Sequence, residues 1–133
     1  MKIAVISPIQ PPLLKLGEMD RREQFRLRDC QKIPAEFVLS YLQDGPKFIM
    51  NAYDDAQAVP SLIRQVMQEE KDGADAIVIN CSADTGLRAC REAVSIPVIG
   101  PTESTMLYAS QFVDHFCILT FSPCMCPCTI AYT

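Results

Sequence analysis

Short apolar runs alternate with amphipathic stretches along most of this chain. The longer runs lack the polar alternation of a half-exposed strand, which is typical of strands buried on both faces of a parallel sheet. Glycine, proline and acidic residues lie between the runs and mark the turns. The predicted strands are Lys2–Ser7, Ala35–Leu42, Ala74–Asn80, Val98–Ile99 and Phe116–Phe121.

A long amphipathic helix is predicted between the second and third runs. Asp54 or Asp55 is placed to cap its start, and Gly73 is placed to end it. Pro60 then falls within the first turns, where proline is tolerated best. The apolar side chains that recur at helical spacing on one face are Val59, Leu62, Ile63, Val66 and Met67.

Two further helices follow the third and fourth strands. Asp84 is the predicted cap of the first, and Thr102 or Ser104 starts the second. Their predicted inward side chains are Leu87, Cys90 and Val94 in one helix, and Met106, Ala109 and Val113 in the other.

Two segments have a weaker pattern. Gln10–Pro34 is polar and charged and is predicted to form a loop and a helix. Lys47–Tyr53 follows a turn at Asp44-Gly45-Pro46 and is interpreted as a short edge segment.

Strands that alternate with helices predict βαβ units with right-handed crossovers. The expected fold is therefore α/β, with three layers: a parallel sheet that carries helices on both faces. Residues 1–113 form one predicted unit, residues 114–121 a further strand, and residues 122–133 a cysteine- and proline-rich tail.

Composition excludes several classes of function. The chain has 133 residues, of which 49% are hydrophobic and 21% charged, as in a globular protein. Its net charge of −4 argues against nucleic-acid and anionic-membrane partners, because phosphate binding needs a basic face. The first apolar run is short and ends at Pro8, so it is interpreted as a strand and not as a signal peptide or a membrane span. A cytoplasmic location is expected.

The chain contains seven cysteines, an odd number that leaves at least one thiol unpaired. They are interpreted as reduced, with Cys30, Cys90 and Cys117 filling apolar positions. Three more cysteines lie in the tail, with one residue between neighbours. A paired zinc knuckle usually has two residues between its cysteines, so no metal site is predicted. The three tail cysteines are Cys124, Cys126 and Cys128.

Cys81 is the strongest candidate for chemistry. It follows a predicted strand and precedes a predicted helix, at the sheet edge where open α/β folds bind ligands. Free N–H groups of the helix stabilise a thiolate there and, with the hydroxyls of Ser82 and Thr85, are suited to hold a carboxylate. A buried structural cysteine is the alternative. His115, the only histidine, is predicted at the opposite edge, which argues against Cys–His catalysis.

Three segments resemble the aspartate/glutamate/hydantoin racemase superfamily, nearest its hydantoin racemase branch. They are DGPKFIMNAYDDAQAVPSLI, GADAIVINCSADTGLRACREAVSIPVIGPTESTMLYAS and HFCILTF. The similarity extends in order from about Lys2 to Phe121, and the segment from Asp75 to Pro101 is its specific part.

The resemblance implies a cofactor-independent isomerase with two similar lobes and one cysteine from each. One thiolate removes the proton beside a carbonyl and the opposite thiol returns a proton to the other face. Cys81 matches the first-lobe cysteine, and Asn80, Ser82 and Thr85 match positions that contact the substrate. Phe116–Phe121 resembles the first strand of the second lobe, so the resemblance implies a first lobe with C-terminal truncation.

Two hypotheses follow. In the first, the chain is a racemase polypeptide for an amino acid, hydantoin or related small acid, with little or no activity alone. In the second, it is a non-catalytic module that binds a small acid or assembles with itself. A homo-oligomer is then expected through the unpaired edge at Phe116–Phe121.

Overall fold

The computed structural model describes residues 1–11 and 34–119 of the chain. Within these ranges the polypeptide alternates between strands and helices, as the apolar pattern predicts. The elements are β1 (Lys2–Ser7), β2 (Glu36–Tyr41), α1 (Ala52–Lys71), β3 (Ala76–Ile79), α2 (Leu87–Ala93), β4 (Val98–Ile99) and α3 (Pro101–Ala109). The segment from 12 to 33, for which a loop and a helix are predicted, lies outside the described residues.

The four strands form one parallel sheet in the order β2-β1-β3-β4. β1 is central and pairs on both sides. Val5, for example, lies opposite Leu39 of β2 and opposite Val78 of β3. This arrangement confirms the predicted α/β fold with a parallel sheet.

The core lies between the sheet and α1. Ala4 and Ile6 of β1 are fully buried, as are Leu62 and Val66 of α1. Burying one large aliphatic side chain contributes about 1.5–3 kcal/mol, so this layer holds the helix against the sheet. Val5, on the opposite face of β1, is 8% exposed. The central strand is therefore covered on both faces, as its unbroken apolar run predicts.

α1 starts earlier than the acidic pair suggests. Its N-cap is Asn51, whose side-chain oxygen accepts a hydrogen bond from the backbone N–H of Asp54 at 3.0 Å. The carboxylate of Asp54 accepts from the N–H of Met50, also at 3.0 Å. The prediction of Asp54 or Asp55 as the cap was wrong by one turn, because Asn51 is the better-placed acceptor.

The early start changes the position of Pro60. The proline lies inside α1 and not in its first turn, on an exposed part of the surface. The predicted end is confirmed. Gly73 follows the helix with φ +83°, a left-handed conformation that glycine adopts without strain, and its N–H donates to the carbonyl of Glu70.

A predicted edge segment and the described part of a predicted strand are not strands in the structure. In the predicted edge segment Lys47–Tyr53, residues 47–50 are irregular, Asn51 is the N-cap of α1, and the last two residues are the start of the helix. Phe116–Leu119, the described part of the predicted last strand, is exposed coil. A strand needs a neighbouring ladder for its backbone groups, and no described strand lies beside either segment.

α3 is more exposed than predicted. It starts at Pro101 with Gly100 as its N-cap, and none of its residues is buried. Met106 and Ala109 are half-buried, whereas Val113 lies beyond the helix and is 48% exposed. Among the described residues, no helix has the length and apolar character needed to cross a membrane.

Candidate active site

The ends of β1 and β3 meet at the point where the strand order reverses, which is where open α/β sheets bind ligands. The backbone N–H of Asn80 donates to the carbonyl of Ile6 at 2.8 Å. The side-chain amide of Asn80 donates to the Ser7 hydroxyl at 3.2 Å. Asn80 therefore joins the two strands at the rim of the site.

Cys81 follows directly after this junction. Its side chain is half-buried and packs against the hydrophobic core. A turn holds the backbone around it. The N–H of Cys81 donates to the carbonyl of Ile79, and the carbonyl of Cys81 accepts from the N–H of Asp84 at 3.0 Å. The structure thus places the predicted thiol at the carboxyl edge of the sheet with part of its surface open to solvent.

The hydroxyl of Thr85 lies next to the sulfur. Thr85 Oγ1 is 3.4 Å from Cys81 Sγ and 2.7 Å from a carboxylate oxygen of Asp55, in the first turn of α1. Thr85 is only 1% exposed. Thr85 therefore contacts the sulfur from the buried side and not from the solvent side.

Asp84 caps a different helix from the predicted one. Its φ of +51° turns the chain, and its carboxylate accepts from the N–H groups of Thr102 at 3.0 Å and Glu103 at 2.7 Å. The prediction that Asp84 caps the helix after Cys81 was wrong, because its side chain caps α3 instead. α2 begins at Leu87 with Gly86, at φ +58°, as its N-cap.

The predicted helix N-terminus at the thiol is therefore absent. α2 begins six positions after Cys81 and is seven residues long. The interactions described for the sulfur come from the Thr85 hydroxyl and from the core contacts behind it.

Ser82 lies on the exposed side of the same loop. Its carbonyl accepts a hydrogen bond from the Thr102 hydroxyl at 2.6 Å. Together with the bonds to Asp84, this contact fixes the loop after β3 to the first turn of α3. Asn80, Cys81, Ser82 and Thr85, all predicted site residues, are brought into one loop region.

Two carboxyl groups beside this loop have opposite electrostatic environments. Burial raises the pKa of Asp84, although the N–H groups of Glu103 and Thr102 oppose the shift. Hydrogen bonding to Arg91 of α2 lowers the pKa of Glu103, and the guanidinium Nη1 lies 3.1 Å from its carboxylate. The first turn of α3 is thereby linked to both the loop and α2.

The other cysteines divide into separate groups. Cys90 is fully buried in the core, as predicted, and burial raises the pKa of its thiol to about 11. Cys117 is exposed, so its predicted place in an apolar layer was wrong, because the described residues around it are coil and not strand. Cys30 and the tail cysteines lie outside the described residues. The described residues contain no cluster of three metal-ligating side chains.

Two residues at the site were not among the predicted site residues. Ser7 ends β1 at the rim, and Asp55 reaches Thr85 from α1. A sequence signal for Asp55 did exist. In βαβ units a helix runs antiparallel to the strands, so acidic residues in its first turn lie at the edge where the strands end.

The chain matches known proteins in sequence and in structure. The sequence profile described as Asp/Glu/Hydantoin racemase matches residues 23–126. The chain belongs to this family. It is similar to a hydantoin racemase of Pseudomonas sp. (strain NS671), with 32% identity over 92% of the chain. A hydantoin racemase of Rhizobium meliloti is 36% identical over 60% of the chain.

Solved structures show the same fold. An allantoin racemase from Klebsiella pneumoniae matches 98% of the chain with a TM-score of 0.85 and 27% identity. The allantoin racemase of Pseudomonas fluorescens matches with a TM-score of 0.83 at 16% identity, which shows the fold alone. The match covers 47% of the Pseudomonas sp. hydantoin racemase, 33% of the Rhizobium meliloti protein and 51% of the Klebsiella chain, so the chain spans about half or less of the length of these relatives.

Proposed function

We propose that this chain supplies the Cys81 side of a cofactor-independent racemase. The substrate class is a small molecule with an acidic C–H beside a carbonyl, such as a hydantoin, allantoin or amino acid. Family membership supports the reaction class. The observation that carries the proposal is the half-exposed Cys81 thiol at the switch point between β1 and β3.

The chemistry is proton transfer at carbon. A Cys81 thiolate takes the proton from the stereocentre, and the electron pair of the broken C–H bond moves toward the carbonyl oxygen. Return of a proton to the opposite face inverts the centre, and return to the same face restores it. Inversion therefore requires a second proton donor across the substrate, whereas exchange with solvent requires Cys81 only.

Polar groups around the sulfur are proposed to receive the substrate. Asn80 and Ser82 lie on the rim, where an amide and a hydroxyl are suited to the carbonyl and N–H groups of a substrate. Thr85 is buried, and we assign it to the site through its contact with Cys81. Reduced thiols are consistent with a cytoplasmic enzyme.

Solvent exchange at the stereocentre tests the proposal. The protein is incubated in D₂O with single enantiomers of a 5-substituted hydantoin, allantoin, aspartate and glutamate. Deuterium uptake is followed by NMR and inversion by optical rotation, both relative to a protein-free control. We expect uptake with at least one substrate, and a loss of about 100-fold or more in Cys81→Ala.

Cys117→Ala is the matched control, because it removes an exposed thiol outside the site. It is expected to retain the rate of deuterium uptake. Uptake that persists in Cys81→Ala, or no uptake with any of the four substrates, would contradict the proposal. Uptake without inversion would assign Cys81 one face of the substrate and leave the other face to a group outside this chain.

A self-assembling module is the second candidate, and one observation favours it. Large apolar side chains are exposed along α3 and the segment after it. Leu119 is 98% exposed, and Phe112 is 69% exposed beside Tyr108, with ring centroids 5.0 Å apart. Large exposed apolar side chains of this kind are found at association sites.

Sedimentation velocity over a wide range of protein concentrations tests this candidate. We expect concentration-dependent association that is weakened by Phe112→Ser and by Leu119→Lys. Phe48→Ser is the control, because Phe48 is 70% exposed but lies before α1. A monomer at every concentration would exclude self-assembly.

A further inference from the structure

The hydroxyl of Thr85 lies between a carboxylate and the proposed catalytic sulfur. Its oxygen is 2.7 Å from Asp55 Oδ1 and 3.4 Å from Cys81 Sγ. With Thr85 1% exposed, water has little access to compete for the hydroxyl. The three side chains come from two elements, because Asp55 belongs to α1 and the other two to the loop after β3.

One hydroxyl hydrogen faces two acceptors. A hydroxyl donates a single hydrogen bond and accepts others through its lone pairs. A carboxylate at 2.7 Å is the stronger acceptor, since bonds to charged oxygen are shorter and stronger than neutral ones. The hydrogen of Thr85 is therefore directed to Asp55, and an oxygen lone pair faces the sulfur. A thiol S–H donates to that lone pair, whereas a thiolate does not.

The neighbouring charged groups have partners of their own. Asp54 accepts from the N–H of Met50, and Asp84 accepts from two N–H groups of α3. Glu103 is paired with Arg91. Asp55 is the carboxylate whose described hydrogen bond leads to the sulfur.

We propose that Asp55 is a positioning residue that, through Thr85, holds Cys81 in the protonated form at rest. Resting on the proposed function, Cys81 takes the substrate proton only after its own thiol proton has been released to solvent. The Thr85 hydrogen then turns from Asp55 to the sulfur. When the thiolate takes the proton from the stereocentre, the electron pair of the broken C–H bond moves toward the carbonyl oxygen, and the Thr85 hydrogen returns to Asp55. Return of the proton to the carbon reverses both movements.

Alkylation of Cys81 tests this proposal without any substrate. Iodoacetamide reacts with the thiolate, and trypsin releases residues 72–88, in which Cys81 is the only cysteine. Mass spectrometry of that peptide therefore gives the rate at one thiol. Its rate is measured from mildly acidic to alkaline pH in the full chain. Because substrate plays no part, failure of this test is distinct from failure of the exchange assay.

Asp55→Asn is the principal variant. A neutral amide holds the Thr85 hydrogen less strongly, so the hydroxyl turns toward the sulfur and favours the thiolate. We expect alkylation at neutral pH to be about three- to tenfold faster, with the midpoint of the pH profile moved to lower pH. A purely structural loosening would raise the rate at every pH by a common factor and leave the midpoint unchanged.

Asp54→Asn is the matched control, because it removes the same charge from the adjacent residue in the same helical turn. It is expected to leave the pH midpoint unchanged. Thr85→Val supplies a second check, since it keeps the side-chain shape and removes the hydroxyl. In that background Asp55→Asn should have no further effect on the midpoint. An equal shift in Asp54→Asn, an unchanged midpoint in Asp55→Asn, or a shift that survives Thr85→Val would overturn the proposal.

Discussion

Asp84 shows how one side chain connects the site loop to the rest of the fold. Its backbone adopts a positive φ that aspartate tolerates better than most residues, and its carboxylate caps α3 across 18 and 19 positions of sequence. The raised pKa of Asp84 shows that burial disfavours its charge. The two N–H groups of α3 offset part of that cost.

Gly100 provides the space for this cap. A Cβ on Gly100 would lie 2.6 Å from Asp84 Cγ and 2.7 Å from Leu87 Cδ2. Its φ of −100° is ordinary, so the requirement is one of space and not of backbone conformation. We expect Gly100→Ala to lower the free energy of unfolding by about 1–3 kcal/mol, measured by urea denaturation.

Ser104→Ala, at an exposed position of α3, is the control for this substitution and should change stability little. In an Asp84→Ala background the penalty of Gly100→Ala should become smaller, because one of the two obstructing side chains is gone. A Gly100→Ala protein as stable as the parent would show that the loop around Asp84 shifts to accommodate the added methyl group without a loss in the free energy of unfolding.

At the level of elements, local pattern predicted the four strands of the sheet well. It also predicted a strand at Phe116–Phe121, whose described part is coil, and it placed the helix starts poorly. β1 and β4 have the predicted limits, and β3 is the inner part of Ala74–Asn80. Unbroken apolar runs identify buried strands because burial on both faces excludes polar side chains. Helix starts depend on which of several polar residues finds an N–H group, and here Asn51 was preferred to the acidic pair.

The N-cap of α1 can be tested directly. Asn51→Ala removes the acceptor for the N–H of Asp54 and should lower the free energy of unfolding by about 1 kcal/mol. Asn51→Asp keeps an acceptor and adds a favourable charge at the helix N-terminus, so it should retain stability. Chemical denaturation of the three proteins measures both effects. Equal losses in the two variants would contradict the capping role.

At the scale of the whole molecule, the predicted order of strands and helices was enough to locate the candidate site. It was not enough to predict which side chains contact each other there. Alternating strands and helices predict that the residues after β3 lie at the ligand-binding edge, and Cys81 is among them. The contact of Asp55 with Thr85 spans 30 positions and depends on how α1 packs against the loop. No local pattern specifies such a contact, which explains why Asp55 was interpreted only as part of a helix start.

The central position of β1 also has a consequence for the order of folding. Ser7 and Asn80, which join at the rim of the site, are 73 positions apart in sequence. Closing so long a loop costs chain entropy that only the completed β1–β3 ladder and its core offset. α1, whose backbone hydrogen bonds are local, needs no such closure. The rim of the site therefore forms only when β1 and β3 have paired, and the native setting of Cys81 reports that this pairing is in place.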